Sequence, residues 1–98
     1  MLNAFVDWAN GKRDELTRND FKVALVVSDE SSNPSARLDV DSETAVARIT
    51  AWNSGDIDLE VIDIEEEVTI YSKQLSLSGA VQFDSEFRDF FAALGLMV

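Results

Sequence analysis

The hydrophobic positions of this chain keep one period up to about residue 18 and another period for the next fifty residues. Leu2, Phe5, Val6, Ala9, Arg13 and Leu16 recur in steps of three and four, with Asp7, Lys12, Asp14 and Glu15 off that stripe. Such spacing is that of one face of an α-helix and predicts a helix over about 2–18. Gly11 weakens its middle by ~1 kcal/mol relative to alanine, and Asn19-Asp20 supplies a stop.

From Phe21 onward the period is two and β-branched residues dominate. A first strand over about 21–28 places Phe21, Val23, Leu25 and Val27 on its core face. A polar loop from Asp29 to Ser35 carries the single proline, Pro34. Ala36, Leu38 and Val40 then alternate with Arg37, Asp39 and Asp41 in a second strand, about 36–41. The third, about 44–53, puts Ala45, Ala47, Ile49 and Ala51 on one side and Val46, Arg48, Thr50 and Trp52 on the other. Its small alanines suit a face on which a helix packs closely. Ser54-Gly55 reads as a two-residue hairpin turn into a fourth strand, about 56–64, where Ile57, Leu59 and Val61 alternate with Asp56, Asp58 and Glu60. Ile62 and Ile64 break that parity and predict a β-bulge near Val61 and Ile62. Glu65-Glu66-Glu67 makes the next turn and 68–73 the fifth strand; 73–83 reads either as a loop or as a short further strand. A closing helix over about 84–95 has an acidic start in Asp84, Ser85 and Glu86, an inward stripe of Phe87, Phe90, Phe91 and Leu94, and a stop at Gly95.

The order helix, five strands, helix predicts an α+β fold of two layers. Short connections make successive strands antiparallel neighbours, so the sheet is a meander in the order 1-2-3-4-5, with the N-terminal and C-terminal helices on one face. The opposite face is left to solvent or to a partner. The 98 residues fit a single domain, 1–98, which buries roughly 60–65% of the surface its unfolded chain exposes.

Composition narrows the function. Hydrophobic residues make up 46% and charged residues 28%, which is ordinary globular usage. Without cysteine there are no disulfides and no thiolate chemistry. Asp7 and the lack of a basic-then-apolar leader argue against a signal peptide, and no apolar run reaches the ~20 residues a membrane helix needs, so the expectation is a soluble cytoplasmic protein. The net charge is −11, and up to Lys22 four bases balance four acids, so the excess lies in the other 76 residues. That field repels nucleic acid and anionic membrane and attracts basic proteins.

Candidate catalysis is thin. There is no histidine and no cysteine, and the carboxylates alternate with core residues or crowd into turns, so neither an enzyme nor a cofactor is expected. Asp56-x-Asp58-x-Glu60 with Glu67 mimics a calcium-loop spacing, but Val61 stands where glycine is needed and the interleaved Ile57, Leu59 and Val61 demand a strand. Extended geometry sets such carboxylates ~7 Å apart, too far to wrap one ion. Asp39-x-Asp41-x-Glu43 fails in a similar way, and no metal site is expected.

The expected open face carries more. It gathers Val46, Arg48, Thr50 and Trp52, the acids Asp56, Asp58 and Glu60, then Thr69 and Tyr71, and Arg37, Asp39 and Asp41. Aromatic anchors among carboxylates suit a binder of basic surfaces, so Arg48, Trp52, Asp56, Asp58, Glu60 and Tyr71 are the candidate partner-binding residues. The plainer alternative is a solvated sheet with Trp52 packed beneath a loop. Trp8 and the Phe87-Phe90-Phe91 group read as core or helix-helix contacts.

The string Ala51-Trp52-Asn53-Ser54-Gly55-Asp56, preceded by Ala36-Arg37-Leu38-Asp39 and Ala47-Arg48-Ile49-Thr50, resembles the TriTu family of immunity proteins from bacterial polymorphic toxin systems. The likeness covers most of the chain, from the opening helix with Trp8 to the closing Phe90-Phe91-Ala92-Ala93-Leu94-Gly95. It implies a cytoplasmic antidote that binds a cognate toxin domain, blocks its active site or its access to substrate, and carries no catalytic residues; taken with the acidic sheet face, the expectation is stoichiometric inhibition by docking on a basic toxin surface. An acidic adaptor or secretion chaperone is the alternative.

Overall fold

Seventeen residues, Leu2–Arg18, form the first helix, α1, in a computed structural model that describes residues 2–28, 32–78 and 82–96. Its buried residues are Leu2, Phe5, Ala9, Lys12 and Leu16, in steps of three, four, three and four. Arg13, expected on that stripe, is exposed, and Lys12 takes the inward place at 9% exposure. The helix period does not choose between them, since both lie about 50° from the centre of the Leu2, Phe5, Ala9 and Leu16 face; Lys12 is on the side where Asp84 and Phe91 come against the helix. The helix stops where expected. Asp20 enters the left-handed region at φ 68°, and the amides of Asp20 and Phe21 donate to the carbonyls of Thr17 and Leu16, which closes the last turn.

The strands are β1 (Lys22–Ser28), β2 (Ser35–Asp41), β3 (Ala45–Trp52), β4 (Asp56–Asp63) and β5 (Val68–Ser76), in one antiparallel sheet of order β1-β2-β3-β4-β5. The meander follows from the short connections. Between 73 and 83, β5 continues to Ser76, and 79–81 lie outside the described residues. Val27, expected on the core face, is 53% exposed, because it sits near the end of an edge strand.

Two local expectations are corrected by the hydrogen bonds. The turn into β4 has Asn53-Ser54 at its centre, since the Gly55 amide donates to Trp52 O at 2.9 Å. Neither Asn53 nor Ser54 has a positive φ, whereas Gly55 has φ 100°, so the glycine follows the turn instead of forming its second corner. The bulge lies at the expected register, between Val61 and Ile62, but the extra residue is on β5. Val61 stands opposite Tyr71 and Ile62 opposite Thr69, which leaves Ile70 unmatched. Consequently β4 keeps its alternation, and Ile62 falls on the polar face opposite Val46.

The C-terminal segment is two short helices and not one: α2 (Phe83–Glu86) and α3 (Arg88–Ala93), with Phe87 at φ −103°, ψ 12° between them. That joint lets Phe83, Phe87, Phe90 and Phe91 all be buried. Gly95, at φ 87°, ends α3: its amide donates to Ala92 O and that of Leu96 to Phe91 O.

The core lies between these helices and one sheet face, built from Ala36, Leu38, Val40, Ala45, Ala47, Ile49, Ala51, Ile57, Leu59 and Val61. Phe5, Trp8, Phe83, Phe87 and Phe91 interlock above it, with Trp8 5.2 Å from Phe87 and 6.2 Å from Phe91 between ring centres. Trp8 thus packs in the helix layer, as its spacing predicted.

Candidate functional site: the uncovered sheet face

Alternation decides which side chains the helices leave uncovered. Core and polar residues alternate along β2, β3 and β4, and register aligns the uncovered ones into rows across the sheet. One row runs Asp41, Val46, Ile62 and Thr69; the next runs Asp39, Arg48, Glu60 and Ser72; a third runs Arg37, Thr50, Asp58 and Gln74.

The middle row largely satisfies itself. Arg48 Nε donates to Asp39 Oδ1 at 2.7 Å, and Arg37 Nε lies 3.3 Å from Asp39 Oδ2. Asp39 therefore has both oxygens engaged by guanidinium groups and is only 21% exposed. The Asp39 hydrogen bond raises the Arg48 pKa, desolvation works against it, and the charges of Asp39, Asp41 and Glu60 add to the rise. The central ladder is thus an ionic network and not a bare acidic surface.

Asp41 and Glu60 are different. Neither carboxylate makes a hydrogen bond or ion pair among the described residues, although each adds to the field around Arg48. Together with Asp39, Val46, Ala47, Arg48 and Ile62 they line a shallow concavity of ≈ 330 Å³. Its apolar side chains are Val46, 37% exposed, and the half-buried Ile62.

The other expected partner-binding residues divide. Trp52 is half-buried on this face, opposite Ser35 at the far end of β3. Asp56 is exposed, but its oxygens accept hydrogen bonds from Ser54 Oγ at 3.0 Å and Ser76 Oγ at 3.1 Å, so it ties the turn to β5. Asp58 is half-buried between Thr50 and Gln74. Tyr71 is not on this face. The unmatched Ile70 reverses the parity of β5, so Tyr71 stands beside buried Val61 on the helix side, 6.4 Å from the Phe90 ring. Thr69, before the bulge, does share the open face with Ile62.

Sequence reasoning left Ile62 out of the open face because its parity slip was assigned to β4. It also passed over Lys12, which joins the helices: its ammonium bridges Glu15 and Asp84 and lies 5.1 Å from the Phe91 ring centre. The spacing of Phe5, Ala9 and Leu16 admits Lys12 as readily as Arg13, so the helix period alone did not single it out. Among the described residues, no group of three or more histidine, cysteine, aspartate or glutamate side chains is arranged to hold a metal ion. No described helix is long and apolar enough to cross a membrane.

A family model described as "Immunity protein TriTu" matches residues 3–93, nearly the full length of the chain. A search of curated proteins finds no match.

Proposed function

The chain belongs to the TriTu family of immunity proteins, and from that premise we propose that it binds a cognate toxin domain of a polymorphic toxin system in the cytoplasm and neutralises it as a stoichiometric inhibitor, without catalysis. The observation that carries this reading is the uncovered face of a sheet whose other face is packed by the helices. A two-layer fold leaves one sheet side without internal partners, and here that side presents Arg48, Trp52, Asp58 and Glu60 with the turn residue Asp56 at its edge. Alternating charges give orientation and a fast encounter, while a half-buried tryptophan and exposed aliphatic groups give contact area. A net charge of −11 favours a toxin with a basic docking surface.

The test is co-expression with the toxin domain encoded next to the chain's own gene. Growth is expected to be restored by the chain, and the purified pair is expected to elute as a complex of fixed stoichiometry whose association rate falls as salt rises. Binding to several unrelated proteins with comparable affinity, without rescue from the toxin, would favour an adaptor or secretion chaperone instead.

A further inference from the structure

On the uncovered face, two carboxylates without a hydrogen bond or ion pair among the described residues meet apolar surface around the start of β3. β3 runs between β2 and β4, and across it Asp41 and Glu60 stand on opposite sides of the Val46–Arg48 segment. Two strand spacings and a two-residue offset along β3 separate their backbones by about 12 Å, and both side chains border the concavity that Val46 and Ile62 also line. Among the described residues the one cation lining it, Arg48, is already held by Asp39, whose second oxygen is taken by Arg37. What the concavity offers an incoming group is therefore two acceptors on opposite walls and an aliphatic surface between them.

We propose that this concavity receives one arginine of the toxin, its aliphatic stem lying on Val46 and Ile62 and its guanidinium shared between Asp41 and Glu60. An arginine fits these features better than a lysine: its planar head has five donors directed to both sides and is weakly hydrated, so less is lost when it is drawn against apolar surface. The negative field that raises the Arg48 pKa acts on any second cation placed beside it. Arg48 forms one wall, its Nε held by Asp39, whose carboxylate offsets its charge. The inference rests on the toxin-binding reading above and locates it at one groove.

The experiment uses the full chain and the toxin domain encoded beside its gene, with affinity measured by calorimetry. The double variant Asp41→Asn/Glu60→Gln keeps the shape of both side chains and is expected to weaken binding about 100-fold. Val46→Lys, which puts an ammonium into the groove, is expected to do at least as much. Asp14→Asn/Glu86→Gln removes the same charge from exposed positions on the helix layer and is expected to change affinity less than about threefold. Circular dichroism melts establish that each variant is folded. An arginine-to-alanine scan of the toxin is expected to find one position whose loss costs little further in the Asp41→Asn/Glu60→Gln background. If the groove variants bind like the wild type, or if both double variants weaken binding equally, the groove assignment is overturned while toxin binding stands. A wild-type chain that binds no toxin domain overturns the functional reading and the groove together.

Discussion

Lys12 Nζ lies 3.2 Å from Asp84 Oδ1, a contact between groups 72 residues apart that fastens α1 to α2. The Trp8 indole N–H donates to the same carboxylate oxygen at 3.2 Å. Phe91 from α3 packs beside the ammonium, so the first and last helices meet around a single inward-pointing lysine.

That lysine makes a prediction about pH. Desolvation works to lower the Lys12 pKa, but hydrogen bonds to Glu15 and Asp84 and their charges outweigh it, and the pKa is raised. A raised folded pKa means stability that is complete below the ordinary lysine value of about 10.4 and is lost as pH climbs through the folded value. Lys12→Met keeps the packing of the stem and should be within about 1 kcal/mol of wild type at neutral pH, with a flatter fall in melting temperature above pH ~10. Lys12→Ala also loses the stem and should cost about 2 kcal/mol by urea denaturation.

Gly55 and Gly11 should respond in opposite directions to alanine. A Cβ on Gly55 would stand 2.3 Å from Leu77 O, at a φ of 100° that an L side chain resists, and Gly55 O accepts the Leu77 amide. Gly55→Ala is expected to destabilise by about 2–4 kcal/mol and to increase hydrogen exchange at the end of β5. A Cβ on Gly11 meets nothing within 4 Å, so Gly11→Ala should stabilise α1 by about 0.5–1 kcal/mol in the same denaturation assay.

Tyr71→Phe should stabilise the chain while leaving toxin affinity unchanged. The Tyr71 hydroxyl is buried without a hydrogen-bond partner among the described residues, and burial, with a smaller effect from Asp89, raises its pKa. Removing an unsatisfied hydroxyl whose ring stays packed is worth about 0.5–1 kcal/mol. Because burial resists ionisation of this tyrosine, it too makes stability fall as pH rises, so the Lys12 comparison is cleanest in the Tyr71→Phe background. A large loss of toxin affinity in Tyr71→Phe would contradict its place on the helix side.

Much of this architecture is legible in the chain because its signals are local. The period change near Phe21, the stop at Asn19-Asp20 and the alternation from Ala36 to Val61 locate α1 and β2 to β4 with little ambiguity. Short connections then leave a meander as the simplest order, which is the order found. The C-terminal segment was harder: Phe87, Phe90, Phe91 and Leu94 fit one helix, and only packing against Phe5 and Trp8 reveals why Phe83 is drawn in and the helix breaks at Phe87.

What the sequence by itself determined is the type and order of the elements, the side of β2, β3 and β4 that is apolar, and the acidic balance, because each depends on residues a few positions apart. The tertiary structure alone decided three other matters. One unmatched residue on β5 reversed Tyr71 while keeping Ile62 on the open face; the helix contacts selected Lys12 over Arg13 as the inward cation; and cross-strand pairing brought Arg48 to Asp39, beside its same-strand neighbour Arg37, while Asp41 and Glu60 have no ion-pair partner among the described residues. Each turns on which distant residues come opposite one another, and an alternating pattern is unchanged when its partner strand shifts.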